Sequence, residues 1–243
     1  MNTEAPLPSH AHPSQQVWRQ LAWMAIFAVA MGLLEAICII YLRRLITIPG
    51  GDMRQLADPI KRFPVEIIRE ACTLAMLLAA AWMAGFNLRS RVAYFFFAFG
   101  VWDVLYYVGL KWLADWPSSL LEWDCLFLIP QPWYGPVLAP VLISAYFAVA
   151  CCLVLAGEKQ GRPLRISPMT VTSQVLAALA WYLSFIIAAN QIARNGHADT
   201  RYLWELFAVG MLIGFAGLWL ARRLPENKVS KAVSAGQRRQ SLD

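Results

Sequence analysis

Six apolar runs, each long enough to cross a lipid bilayer, constrain the fold of this chain more than any other feature. A membrane-spanning helix needs about twenty consecutive apolar residues. The runs lie at 18–45, 64–86, 91–113, 133–156, 171–193 and 202–222. Strands of a transmembrane barrel are about half as long and alternate between apolar and polar residues, a pattern that these runs lack. The sequence therefore predicts an all-α fold, a polytopic membrane bundle of six transmembrane helices.

Composition agrees with a bilayer environment. Hydrophobic residues make up 59% of the chain and charged residues only 15%, whereas soluble domains carry about a quarter charged residues. Six of the 21 Lys and Arg residues lie at or beyond the end of the last apolar run, a position typical of a cytoplasmic membrane anchor, and nucleic acid is not an expected partner. We predict one transmembrane domain at 17–224, between disordered tails at 1–16 and 225–243.

The distribution of basic residues predicts the orientation. With the N-terminus inside, twelve Lys and Arg residues fall on the cytoplasmic side and eight on the opposite side. Because cytoplasmic loops of membrane proteins carry an excess of these residues, both termini are predicted to be cytoplasmic. Five basic residues in and before the segment 46–63 oppose this bias.

Charged and polar side chains within the spans cluster in one leaflet. A charge at mid-membrane costs about 2.5–3.5 kcal/mol on insertion scales, so each needs a compensating role. The other halves of the spans, such as 74–84 and 209–220, are uncharged. The candidate ligand-binding residues in or beside the polar leaflet are Glu35, Glu66, Arg69, Glu70, Asp103, Tyr106, Tyr107, Glu122 and Asp124.

Helical spacing favours a shared interior for these side chains. Glu66, Arg69 and Glu70 stand at i, i+3 and i+4, so one helix face presents an acid, a base and an acid. The same spacing recurs within 103–107, which places two tyrosine hydroxyls near the Asp103 carboxylate. Two interpretations stay open. The acids line a water-filled or ligand-binding cavity, or they only fasten the helices together through buried ion pairs and hydrogen bonds.

The segment 118–129 between the third and fourth spans predicts a short re-entrant or interfacial helix. Ser119 is a candidate N-cap with Glu122 three residues later, and Pro130 and Pro132 would end the helix. A helix of this length reaches about halfway through the hydrocarbon. It would bring Glu122 and Asp124 to the acid cluster.

The residues that several common cofactors and catalytic sites require are missing from this sequence. Because no span contains a histidine, haem held by histidine inside the bundle is not expected, and no cofactor is assigned. The HExxH zinc motif and the GxSxG elbow are also absent from the sequence. No metal ligand and no catalytic residue is therefore predicted, although paired acids such as Glu66 and Glu70 could share protons or a hard cation.

Three stretches carry a resemblance to known proteins: "VEIIREACTLAML", "WDVLYY" and "SLLEWDCLFLIPQPWYGPVLAP". They resemble a group of small multi-pass bacterial membrane proteins, over roughly residues 18–156. The resemblance implies a location in the bacterial inner membrane and transfers no functional residue.

The leading hypothesis is a protein that binds or transports a small polar ligand or cation in a carboxylate-lined cavity of the outer leaflet. In this hypothesis, four buried acids bind the ligand or carry protons, and Arg69 sets their charge. Two tyrosines donate hydrogen bonds to the ligand, and Glu122 and Asp124 form the mouth of the cavity. One alternative is a membrane enzyme acting on a lipid or isoprenoid-phosphate headgroup. Another is an accessory subunit that docks on a membrane protein partner.

Overall fold

The computed structural model describes residues 13–45, 64–160, 164, 166–195 and 201–223. Within these ranges, six helices and one β-hairpin form the fold. The helices are α1 Pro13–Leu45, α2 Pro64–Ala84, α3 Leu88–Ala114, α4 Leu138–Lys159, α5 Pro168–Asn195 and α6 Trp204–Arg223, and the strands are β1 Trp123–Phe127 and β2 Trp133–Pro136. All six helices are long and apolar enough to cross a membrane. The prediction of a six-helix membrane bundle is confirmed.

Local sequence signals explain where several helices begin and end. Proline opens α2 and α5 at the first helical position, where its missing N–H has no partner to lose. Asn87 caps α3 by accepting the N–H of Ser90 at 2.8 Å, and the Ser90 hydroxyl in turn accepts the Asn87 N–H at 3.0 Å. At the other end of α3, Asp115 adopts a left-handed conformation (φ 51°) that terminates the helix.

The predicted short helix at 118–129 is wrong, because the chain forms an antiparallel β-hairpin there. Trp123 pairs with Pro136 and Asp124 with Gly135. The Ser119 hydroxyl accepts the Leu121 N–H at 3.2 Å and stabilises a turn rather than the start of a helix. Aromatic residues favour strands, and partners far away in sequence supply the hydrogen bonds that a helix would have made internally.

The hairpin also moves the start of the fourth span. Residues 133–136 were predicted to belong to that span, yet they pair with β1. The Leu138 N–H donates to the Leu120 carbonyl at 2.7 Å, closing the hairpin base at the beginning of α4. Residues 13–16 of the predicted N-terminal tail belong to α1, whereas residues 1–12 and 224–243 lie outside the described ranges.

The helices form two groups. In the first, α3 packs on α1, α2 and α4, with fully buried Ala28, Leu77 and Tyr94 in its core. In the second, α5 packs mainly on α6 and on β2. The aromatic ring of Tyr146 from α4 meets α6 at Gly214 and joins the two groups.

Two glycines allow helix backbones to approach closely. A Cβ atom on Gly32 of α1 would lie 2.6 Å from the Trp102 carbonyl oxygen, and one on Gly100 of α3 would lie 2.8 Å from the Ser144 carbonyl oxygen. Small residues at such contacts are typical of helix packing in membranes. They draw α1 and α4 against opposite sides of α3, so that α3 carries its polar side chains at the centre of the first group.

The outer surface is apolar. Large hydrophobic side chains such as Met83, Trp112 and Leu212 are more than two-thirds exposed. A soluble monomer rarely exposes contiguous apolar surface on this scale. Together with the six long apolar helices, this surface makes the protein a multi-pass membrane protein in a lipid bilayer.

Candidate functional site

An ion-paired cluster joins α1 to α2. The Arg69 guanidinium contacts both the Glu35 carboxylate and, at 2.7 Å, the Glu66 carboxylate. The Thr73 hydroxyl lies 3.3 Å from the second oxygen of Glu35 and 3.1 Å from the Arg69 carbonyl. One arginine thus balances two acids on neighbouring helices, the pairing that lowers the cost of charges at membrane depth. This cluster fits the fastening role.

Glu70, one turn after Glu66, binds the tip of the hairpin instead. Its carboxylate accepts the Leu128 N–H at 3.0 Å and the Ile129 N–H at 3.0 Å. Gln131, also in the tip, donates to the hydroxyl of Tyr182 in the middle of α5 at 3.0 Å. Irregular backbone inside a membrane protein needs such internal partners. Glu70 therefore satisfies the exposed backbone of the turn.

Asp124 on β1 is held by two elements. The Arg43 guanidinium of α1 lies 3.3 Å from one carboxylate oxygen, and the Tyr107 hydroxyl of α3 donates to the other at 3.3 Å. Arg43 also stacks over the Trp116 ring at 3.9 Å. Burial raises the pKa of Asp124 to about 6, against the opposing effect of Arg43. The hairpin base is therefore tied to α1 and α3 through one buried acid.

Glu122 lies at the outer end of the hairpin. Its carboxylate accepts the Trp116 indole N–H at 2.6 Å and both the backbone N–H and the hydroxyl of Ser118 at 2.6 and 2.7 Å. The pKa of Glu122 is lowered, and the main cause is the hydrogen bond from the Ser118 hydroxyl. All the hydrogen-bond partners of this carboxylate precede it in the chain, at Trp116 and Ser118, so the Glu122 side chain orders the turn before the hairpin.

Asp103 shares no hydrogen bond or ion-pair partner with the other predicted acids in the described part of the chain. The Ser144 hydroxyl of α4 donates to its carboxylate at 2.8 Å, and Asp103 is only 8% exposed. Within the described ranges, no lysine or arginine pairs with it, and no hydrogen bond joins it to Tyr106 or Tyr107. The Tyr106 ring instead packs against Tyr107 with 4.8 Å between ring centres.

A cavity of about 1100 Å³ separates the two helix groups. Residues from α3, α4, α5, α6 and the hairpin form its walls. At the end nearest the hairpin it is lined by Asp103, Phe127 and Trp133, and farther along by Phe147 and Trp181. Its surface is mostly apolar and rich in aromatic rings. Of the nine predicted site residues, Asp103 alone lies in this wall.

The opposite end of the cavity reaches the turn between α2 and α3. Arg89 lies there, with its guanidinium 3.9 Å from the Glu158 carboxylate of α4, and the Asn87 amide donates to the same carboxylate at 3.2 Å. Arg89 and Asp103 are separated by about 21 Å along α3, at roughly 1.5 Å of rise per residue. The cavity is therefore elongated along the bundle axis.

The structure groups the predicted residues differently from the sequence hypothesis. Glu35, Glu66 and Arg69 meet in one cluster, and Tyr107 meets Asp124 in another. Neither Glu35 nor Glu70 reaches the cavity, so the acids do not converge on a common void. No group of three potential metal-ligating side chains occurs in the part of the chain that the structure describes, and the three histidines lie outside that part.

Sequence reasoning missed the role of Ser144. Ser144 was not among the predicted site residues, yet its hydroxyl donates to Asp103 across the α3–α4 contact. A polar residue inside the otherwise apolar run of α4 was the available signal. The aromatic lining had no such signal, because aromatic residues occur on every span.

Comparison with protein-family models finds none that matches the chain, and searches of the curated proteins and of the solved structures find no match either. Function must therefore be inferred from the cavity and the side chains around it.

Proposed function

We propose that the protein binds an amphipathic organic molecule inside the membrane, in the cavity between α3, α4 and α5. The observation that carries this proposal is the cavity itself, whose volume of about 1100 Å³ lies at the upper end of the usual ligand pockets of about 300–1,000 Å³. An apolar void of this size is poorly suited to water, because water needs several polar partners in a cavity. A molecule with a large hydrophobic part suits it better.

The packing of the helices supports entry from the lipid. Whereas α3 and α4 pack closely together, α5 packs mainly on α6 and β2. Tyr146 of α4 contacts Trp181 of α5 with 5.3 Å between ring centres, so the side between α3 and α5 is the least tightly closed side of the cavity. A membrane-dissolved ligand would enter there without passing through water, and the hairpin would limit how far it moves along the bundle axis.

The acid cluster gives less support to the predicted site for a small polar ligand or cation. Glu35 and Glu66 are neutralised by Arg69, Glu70 is occupied by backbone N–H groups, and Asp124 is paired with Arg43. An ion entering this region would have to replace existing partners. The enzyme and accessory-subunit alternatives stay predictions, and so do the inner-membrane location and the bacterial origin.

A photolabelling experiment tests the cavity. The purified protein in lipid nanodiscs is irradiated with a small neutral aryl diazirine, and the adducts are mapped by mass spectrometry. We expect adducts on cavity residues such as Phe147 and Trp181, besides those on lipid-facing side chains. Ala150→Phe, which adds a ring to the cavity wall, should remove the cavity adducts.

Ala145→Phe provides the matched control, because Ala145 is exposed on the same helix and does not line the cavity. This variant should leave the cavity adducts unchanged. Labelling confined to lipid-facing residues in the wild-type protein would contradict the proposal, as would equal loss in both variants.

A further inference from the structure

The carboxyl group of Asp103 lies in the cavity wall without a basic partner in the described part of the chain. Its only hydrogen bond there comes from the neutral Ser144 hydroxyl at 2.8 Å. By contrast, Glu35, Glu66 and Asp124 each pair with an arginine. An acid in an apolar wall is costly unless it is paired. A cationic ligand would supply the charge that no basic side chain in the described part of the chain provides to Asp103.

Aromatic rings surround the same end of the cavity. Phe99 lies one helical turn before Asp103 on α3, and its ring stacks against Phe127 of the hairpin at 5.9 Å. Phe127 contacts Trp133 at 5.7 Å between ring centres, and Trp133 stacks on Phe185 at 6.0 Å. The faces of such rings attract organic cations, most strongly where water is excluded. Rings and carboxylate therefore favour the same sign of charge.

The nearest positive group in the cavity wall does not oppose this preference. Arg89 lies about 21 Å from Asp103 along α3 and is paired with Glu158. The hairpin end of the cavity therefore combines negative charge and electron-rich rings, whereas the basic side chain lies at the opposite end.

From this charge arrangement we infer that the ligand is a hydrophobic organic cation, a phosphonium or ammonium ion carrying aromatic or alkyl groups. Its charge is held by the Asp103 carboxylate at the hairpin end, and its apolar groups fill the rest of the cavity between α3, α4 and α5. This inference depends on the proposed function, since it assigns the ligand class of the same cavity.

Two ions of the same shape and opposite charge test the inference. Tetraphenylphosphonium and tetraphenylborate are titrated into the purified full-length protein in neutral detergent, and binding is measured by isothermal titration calorimetry. The Ala150→Phe and Ala145→Phe variants separate cavity binding from partition into the micelle. We expect tetraphenylphosphonium to bind at least about tenfold more tightly than tetraphenylborate to the wild-type cavity.

Substitutions at Asp103 then assign the selectivity. Asp103→Asn should weaken tetraphenylphosphonium binding at least about tenfold and leave tetraphenylborate unchanged or stronger. Asp103→Glu, which keeps the charge, should retain the preference for the cation. Asp115→Asn, an exposed acid at the end of the same helix, serves as the control and should behave like the wild type.

The outcomes separate the two proposals. Equal binding of both ions, lost in Ala150→Phe and kept in Ala145→Phe, would overturn the cation assignment and leave the proposed cavity intact. A tighter wild-type cavity site for tetraphenylborate would do the same. If neither ion shows binding that is lost in Ala150→Phe, both the proposed cavity and the cation assignment are contradicted. Should Asp103→Asn fail to fold, the comparison of the two ions on the wild type still decides the matter.

Discussion

Asp124 shows how a single residue can make the stability of the fold depend on pH. Burial raises its pKa from 3.8 to about 6, so the folded protein holds the proton more tightly than the unfolded chain does. Stability from this group is then greatest below the unfolded pKa near 4 and declines as the pH rises to about 6. A shift of about two units corresponds to about 3 kcal/mol.

We therefore expect the melting temperature of the wild-type protein in detergent to fall between pH 4.5 and pH 6.5 relative to that of Asp124→Asn. The variant cannot ionise and should lack this component. Melting curves followed by circular dichroism at several pH values measure the difference between the two proteins. If the two melting temperatures change in parallel over this range, the assignment to Asp124 is wrong.

Glu70 carries a different prediction, because its partners are backbone groups. Glu70→Ala would leave the N–H groups of Leu128 and Ile129 without their acceptor. Each buried donor left unsatisfied costs about 1–3 kcal/mol. We expect a lower unfolding free energy in detergent, with a smaller loss in Glu70→Gln, which keeps an acceptor oxygen.

Glu205→Ala is the control for this measurement. Glu205, in the first turn of α6, forms an exposed pair with Arg201, which precedes the helix, and such pairs contribute about 0–1 kcal/mol. A loss in Glu70→Ala no larger than in Glu205→Ala would show that the hairpin tip does not depend on the carboxylate.

At the residue scale, the sequence predicted which side chains are unusual but not what each contacts. Periodicity placed Glu66, Arg69 and Glu70 on one face of a helix, and that face does turn inward. It gave no reason why Arg69 and Glu70 should bind different elements. The partners of Glu70 lie 58 and 59 residues away, and they become available only because 128–129 leaves its backbone N–H groups unpaired.

The elements themselves were predictable where apolar length decides the structure. All six spanning helices follow from continuous apolarity. In a bilayer, a helix is the only structure in which one segment satisfies all of its own backbone hydrogen bonds. The segment 118–129 lacks that length, and the capping pattern at Ser119 stabilises a turn there instead of a helix. Its real structure depends on pairing with 133–136 across two prolines. Such non-local pairing is not visible in a short window of sequence.

Helix contacts give a prediction at this scale. In Gly32→Ala the new methyl group would lie 2.6 Å from the Trp102 carbonyl oxygen and 3.0 Å from the Tyr106 amide nitrogen. Since both neighbours are backbone atoms, α1 and α3 must separate, and overpacking of this kind costs about 1–3 kcal/mol. The unfolding free energy in detergent should fall accordingly. Ala30→Leu, on the exposed side of α1, should change it little.

In the whole molecule, polar side chains gather at one end of the helix bundle, and a mostly apolar cavity extends along the bundle axis. The hairpin, the ion-paired cluster and Asp124 all lie toward the C-terminal ends of α1 and α3. The sequence predicted such a clustering of charges in one leaflet. The cavity was not predictable, since it depends on how α3, α4 and α5 pack around it. A polar leaflet next to an apolar cavity suits a ligand whose charge is bound near the hairpin.

The orientation of this arrangement in the membrane is the last prediction, and labelling of single cysteines measures it. Asp115 and Gln160 are exposed at opposite ends of the bundle, the first before the hairpin and the second after α4. From the excess of Lys and Arg on the N-terminal side, we expect Asp115→Cys to react with a membrane-impermeant maleimide in intact cells. Gln160→Cys should react only after permeabilisation.

The wild-type protein sets the background in this experiment, because its exposed Cys72 and Cys152 lie within helices that face lipid. The reverse pattern would place the hairpin and Asp124 on the cytoplasmic side. In that case the five basic residues in and before 46–63, which oppose the overall bias, would be the dominant signal. The hairpin end of the cavity, with Asp103, would then lie nearer to the cytoplasm, and the Arg89 end would face the opposite side of the membrane.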